Sequence, residues 1–152
     1  MNQKTILLIE DRPEDVELTL RAFGRNRGFH NIVVLKDGVE ALDYLFSSEK
    51  NTGKAEAVPH LILLDLKLPK IDGLEVLKRI RGDAKTRFIP VVLLTCSLEE
   101  EDLIQGYKLG VNSYIRKPID EKSFMSSVQQ LGLYWLIREE ATNLKEPEEV
   151  PL

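Results

Sequence analysis

Short apolar runs punctuate the chain at Ile6–Ile9, Ile32–Leu35, Leu61–Leu64 and Val91–Leu94, with a weaker one at Tyr114–Ile115. The strong runs are rich in Ile, Leu and Val and lack polar alternation, which predicts strands buried on both faces. Between them, helices are expected at Pro13–Arg25, Gly38–Phe46, Gly73–Arg81, Leu98–Leu109 and Asp120–Arg138. The first opens on a proline suited to the first helical turn, followed by Glu14, Asp15 and Glu17, acids that favour a helix N-terminus. The acidic run Glu99–Asp102 reads the same way, as a solvated helix start. Strand and helix alternate along the chain, so the fold class is α/β: a doubly wound five-stranded parallel sheet with helices on both faces. Right-handed crossovers and strand order 2-1-3-4-5 are the default topology.

Two stretches break the rhythm. Ser47–His60 is polar and longer than the usual connection, an insertion or a partner-facing loop. Asn143–Leu152 has two prolines and no apolar face, and is expected to be a mobile tail.

Composition narrows the class without naming a function. The 152 residues suit one domain, with 43% apolar and 30% charged residues as in an ordinary globular protein. No separate output domain is expected in that length. A net charge of −4 makes nucleic acid an unsuitable partner. No apolar run approaches a membrane span, and the N-terminal run meets acid too soon for a signal peptide. The single cysteine, Cys96, excludes an intrachain disulfide, so a cytoplasmic setting is expected.

In open parallel sheets ligands bind beyond the carboxyl ends of the strands. The polar residues at the ends of the runs are therefore informative: Glu10–Asp11 after the first, Asp65 after the third, Thr95 at the end of the fourth, and Lys117–Pro118 after the fifth. In order 2-1-3-4-5 the first and third strands are neighbours, so Glu10, Asp11 and Asp65 crowd together. Clustered carboxylates must protonate or recruit a cation, and hard oxygen ligands on an open edge suit Mg²⁺. A carboxylate can also act as a nucleophile and become an aspartyl phosphate. Lys117 has the reach to neutralise a transferring phosphoryl group, and Thr95 is placed to hold one of its oxygens. The site reads as phosphoryl transfer onto Asp65.

This constellation, with LLDLKLPKIDG around Asp65 and GVNSYIRKP around Lys117, resembles the receiver domain of two-component response regulators. The resemblance covers about residues 4–137 and implies a flavodoxin-like (CheY-like) three-layer α/β/α domain over residues 1–142. It implies that Asp65 is the phosphoacceptor, Asp11 a direct Mg²⁺ ligand, Glu10 a contributor through water, and the Lys67 carbonyl a further ligand. Thr95 and Lys117 would bind the phosphoryl group, Lys117–Pro118 would be a cis peptide, and Tyr114 would turn inward as Thr95 moves. Lys67 also stands where the family tunes phosphoryl lifetime. The Ser47–His60 stretch and the apolar LGLYWLIREE segment resemble the single-domain regulators that partner cyanobacterial and other bacterial phytochrome kinases. A sensor histidine kinase, of bacteriophytochrome type, is the implied partner, and the chain is a signalling protein rather than an enzyme.

Blander readings exist residue by residue. Asp65 could cap a turn, Glu10–Asp11 could cap the first helix, Thr95 could merely end a strand, and Tyr114 could be a packing residue. Their joint placement at matching strand ends favours chemistry. A haloacid-dehalogenase-type phosphatase needs an acid two residues after the nucleophile, where this chain has Lys67. A flavodoxin-like cofactor binder would meet repulsion from Glu10–Asp11. A degenerate receiver, binding partners without phosphorylation, is the alternative. Cys96 reads as a small filler, and His30 and His60, lacking ligand spacing, as surface residues.

In the last helix Phe124, Val128, Leu131 and Trp135 form one core stripe, while Met125, Leu133, Leu136 and Ile137 add apolar area beside it. That surplus predicts a covering partner. The expected one is a second copy, giving a homodimer through the Leu98–Leu109 and Asp120–Arg138 helices and the Tyr114–Ile115 strand.

Overall fold

The computed structural model describes residues 4–23, 30–47, 58–95, 110–117 and 119–130. The strands are β1 (Lys4–Ile9), β2 (His30–Leu35), β3 (Leu61–Asp65), β4 (Val91–Thr95) and β5 (Ser113–Arg116). The helices within these residues are α1 (Pro13–Ala22), α2 (Gly38–Phe46), α3 (Gly73–Arg81) and α4 (Glu121–Gln130). All strand pairs are parallel and the order is β2-β1-β3-β4-β5, as the pattern predicts.

Alternation explains why the central strands carry no polar residues. Ile6, Leu8, Leu61, Leu63, Val92, Leu94 and Ile115 pack with Ala22, Phe23 and Phe124 on the α1 and α4 side. Leu7, Ile9, Ile62, Leu64, Val91 and Leu93 pack with Ala41, Val76, Leu77 and Ile80 on the α2 and α3 side. With both faces covered, every position of β3 and β4 must be apolar until the sheet ends. The polar residue that ends each run therefore marks the edge.

Helix starts follow local chemistry. Pro13 is the first helical residue of α1. Asp37 and Asp72 cap α2 and α3, accepting the Glu40 and Glu75 N–H groups at 2.8 and 2.9 Å. Gly73 is required for a different reason. Its N–H donates to Leu66 O at 2.9 Å, and a Cβ there would overlap the Asp65 carbonyl oxygen and lie 2.7 Å from Leu66 Cα. Gly73→Ala should cost about 1–3 kcal/mol through this overpacking, read as a lower urea midpoint at unchanged slope.

One sequence reading needs correction. His30 is not a surface residue: it is 6% exposed, begins β2, and its ring lies 6.3 Å from that of Phe23. The apolar run suggested a strand starting at Ile32, which left His30 in a loop; pairing with Lys4 extends β2 by two residues. His60 is exposed, and its Nδ1 accepts the Thr5 N–H at 3.1 Å. Phe124 is buried, as the core stripe requires, and Met125 packs beside it. The Leu98–Leu109 helix, Cys96, Pro118 with its peptide geometry, the Val128 side chain, Leu131 onward, most of Ser47–His60 and the 143–152 tail lie outside the described residues.

Candidate functional site

Strand register assembles the site. Ile9 pairs with Leu64, so Glu10 and Asp65 leave adjacent strands one step later. Asp65 pairs with Leu94, which puts Thr95 one residue beyond it. Thr95 pairs with Arg116 and accepts the Lys117 N–H at 2.8 Å, so Lys117 leaves β5 at the same edge. Glu10, Asp65 and Thr95 are 0%, 4% and 3% exposed, which for carboxylates demands compensation.

Lys117 supplies it. By alternation Glu10, Asp65 and Lys117 continue the α1-side rows of their strands. The Lys117 Nζ lies 2.8 Å from Glu10 Oε1, 3.0 Å from Asp15 Oδ2 and 3.3 Å from Asp65 Oδ2. The expected reach of this lysine back toward β3 is therefore met. Glu10 Oε2 accepts the Arg12 N–H at 3.3 Å, and Asp65 Oδ1 the Lys67 N–H at 3.4 Å. Tyr114, at 36% exposure, stands on the outer part of edge strand β5.

The carboxyl groups of the site are electrostatically uncomfortable without a further cation. Burial pushes Glu10 up to about 7, opposed by Lys117 and reinforced by the charge of Asp65. Burial also raises Asp65, again opposed by Lys117. Burial alone would lower Lys117, but its contacts with Glu10 and Asp15 and the charges of Asp65 and Glu10 raise it above an ordinary lysine. It stays an ammonium at any physiological pH.

Glu10, Asp11 and Asp65 each present an oxygen within 4.8 Å of the others. Glu10 Oε1 is buried and makes no well-directed hydrogen bond, its 2.8 Å contact with the ammonium being an ion pair of poor angle. An all-oxygen donor set with acceptor capacity to spare fits a hard divalent cation such as Mg²⁺. A shallow cavity of about 400 Å³ adjoins the site, lined by Leu66, Lys67, Leu68, Asp72 and Leu74.

A family model for the response regulator receiver domain matches residues 6–129. The chain belongs to the response regulator receiver domain family. Among curated relatives, the probable methanogenesis regulatory protein FilR2 of Methanothrix harundinacea is 43% identical over 131 residues, 86% of this chain and 83% of that one. The solved bacteriophytochrome response regulator AtBRR has a TM-score of 0.77 at 46% identity, covering 89% of this chain and 96% of its own. The Mn²⁺-bound form of response regulator Rcp1 has a TM-score of 0.69 at 39% identity, covering 88% and 94%. This receiver thus aligns with nearly the full length of the solved bacteriophytochrome response regulator AtBRR.

Sequence reasoning missed Asp15. Its place in the first turn of a helix gave it a sufficient local explanation. The available signal was parity: α1 covers the sheet face on which Glu10, Asp65 and Lys117 emerge.

Proposed function

We propose that this receiver accepts a phosphoryl group on Asp65 from a sensor histidine kinase, of phytochrome type, and passes the signal on by protein contact. The observation that carries the reading is Lys117 Nζ, 3.3 Å from Asp65 Oδ2 at an edge where three carboxylate oxygens converge. An Asp65 carboxylate oxygen attacks phosphorus, the bond to the donor imidazole nitrogen breaks, and the imidazole leaves with the electron pair. Lys117 faces the charge that develops on the phosphoryl oxygens, and Thr95 stands one residue away to donate its hydroxyl to one of them. Glu10, Asp11, Asp65 and the Lys67 carbonyl would hold Mg²⁺, which when bound supplies charge neutralisation at the transferring group. The Mn²⁺-bound relative supports this assignment.

Inward movement of Tyr114 as Thr95 engages the phosphoryl group is the proposed switch. The same face, with the apolar surplus that comes after α4 in sequence, is the proposed homodimer surface; light scattering on the phosphorylated and unphosphorylated protein tests it. No helix among the described residues is long and apolar enough to cross a membrane. A cytoplasmic working site is proposed together with the kinase partner. The likeness to AtBRR supports a bacteriophytochrome donor.

The test is phosphotransfer profiling: autophosphorylated histidine kinases, a bacteriophytochrome among them, are mixed with the chain and loss of kinase label is timed. Fastest transfer from the bacteriophytochrome is expected. Transfer from none of the kinases would favour a degenerate receiver. Asp11→Asn removes a metal ligand but not the acceptor. It should weaken Mg²⁺ by roughly tenfold or more, read by isothermal titration, and slow phosphorylation at limiting Mg²⁺.

A further inference from the structure

Asp15 is a fourth carboxylate at this edge, and neither the metal site nor the acceptor role uses it. It comes from the first turn of α1, its side chain is 13% exposed, and its Oδ2 accepts from Lys117 Nζ at 3.0 Å across 102 residues of sequence. The same oxygen lies 3.2 Å from Arg12 Nε, and Arg12 is 60% exposed.

An ammonium has three N–H donors and no acceptor. Lys117 meets three carboxylates from three elements: Glu10 from the end of β1, Asp15 from α1 and Asp65 from β3. Two of these have other work under the function proposed above. Glu10 belongs to the converging oxygen cluster, and Asp65 gives its charge to the phosphoryl group. Asp15 lies outside that cluster. It is the anchor whose chemistry does not change when the site is loaded.

We propose that Asp15 is a positioning residue for Lys117. It holds one N–H from the α1 side so that the N–H facing Asp65 stays aimed at the incoming phosphoryl group. This rests on Asp65 being the acceptor. The donors suffice throughout: Asp15 keeps its N–H, the ammonium direction facing Asp65 passes to a phosphoryl oxygen, and Glu10 stays an ion-pair partner. Asp15 therefore does not compete with the phosphoryl group. Arg12 also contacts Asp15 Oδ2, at 3.2 Å, but it is mostly solvated, so this screened pair is weak beside the part-buried contact with Lys117. Without Asp15 the four-carbon lysine stem is held only by Glu10 and Asp65, both of them members of the site that is loaded.

The test pairs Asp15→Ala with Asp15→Asn, whose amide oxygen still accepts from an ammonium. Two readouts are needed. The first is the Lys117 ammonium signal in ¹H–¹⁵N NMR, identified by its disappearance in Lys117→Arg and recorded with and without Mg²⁺. The second is the rate of phosphoryl uptake from acetyl phosphate at saturating Mg²⁺, together with the Mg²⁺ midpoint. A sharp ammonium signal is expected in the unmodified protein and in Asp15→Asn, and a broadened or absent one in Asp15→Ala. Uptake should fall about tenfold in Asp15→Ala and within about threefold in Asp15→Asn, with the Mg²⁺ midpoint nearly constant in both. Retention of the signal and the rate in Asp15→Ala overturns the proposal. So does an equal loss in both variants with a shifted Mg²⁺ midpoint, which would mean that Asp15 contributes charge and not aim. If the unmodified protein takes up no phosphoryl group, the function proposed above fails; the ammonium signal then still supports or overturns the tether itself.

Discussion

Asp65→Asn is expected to stay folded and to take up no phosphoryl group from any donor. The amide occupies the volume of the carboxylate at a site only 4% exposed, so packing is kept. It cannot form the acyl phosphate, because an amide oxygen is neither charged nor nucleophilic enough to attack phosphorus. No other carboxylate is expected to replace it: Glu10 is fully buried behind Lys117, and Asp11 is the proposed metal ligand. Stability should move the other way from function. Burial holds the Asp65 carboxyl above its ordinary value, so its ionised form costs stability as pH rises past that value. Without divalent metal at neutral pH, thermal melting of Asp65→Asn should therefore occur at or above the wild-type midpoint. A large drop in melting temperature would show that the Lys117 contact outweighs burial.

Lys117→Met should be the most damaging substitution to the folded state at this edge. It leaves Glu10, Asp15 and Asp65 facing one another without their shared cation. Breaking a buried pair by removing one partner costs about 3–5 kcal/mol. The loss should depend on pH with a definite sign. Glu10 is pushed up to about 7 from 4.5 even with the ammonium present, so its ionisation costs stability as pH rises through that value. Lys117 limits this cost. Denaturant unfolding should therefore show the largest deficit at about pH 8 and a much smaller one at about pH 5.5, where Glu10 carries its proton. Millimolar Mg²⁺ should restore part of the deficit at the higher pH, because a cation returns to the cluster. Phosphoryl uptake should fall about 100-fold or more, the usual cost of removing a preorganised charge from the transferring group. A deficit equal at both pH values would mean that Lys117 acts through packing of its stem.

The framework of this site was legible because each buried strand must end where its first polar residue appears. Leu61–Leu64 could end only at Asp65, and Val91–Leu94 only at Thr95. Neighbouring strand ends then follow from the sheet order. What escaped the sequence was side-chain reach across elements. Asp15 at a helix start and His30 before an apolar run each had a complete local explanation, a dipole partner and a loop residue. Only the third dimension shows Asp15 against Lys117 and His30 beneath the α1 end. The complete burial of Glu10 is of the same kind, since Asp11 beside it is only half-buried.

The central claim is that Asp65 accepts a phosphoryl group with the help of a divalent cation. It is tested most directly by intact mass after incubation with acetyl phosphate, with Mg²⁺ and with a chelator, and then a brief alkaline treatment. One added phosphoryl group, present only with Mg²⁺, removed by alkali and mapped to the peptide holding Asp65, is the expected result. A mass unchanged in every arm, or a modification that survives alkali, would contradict it.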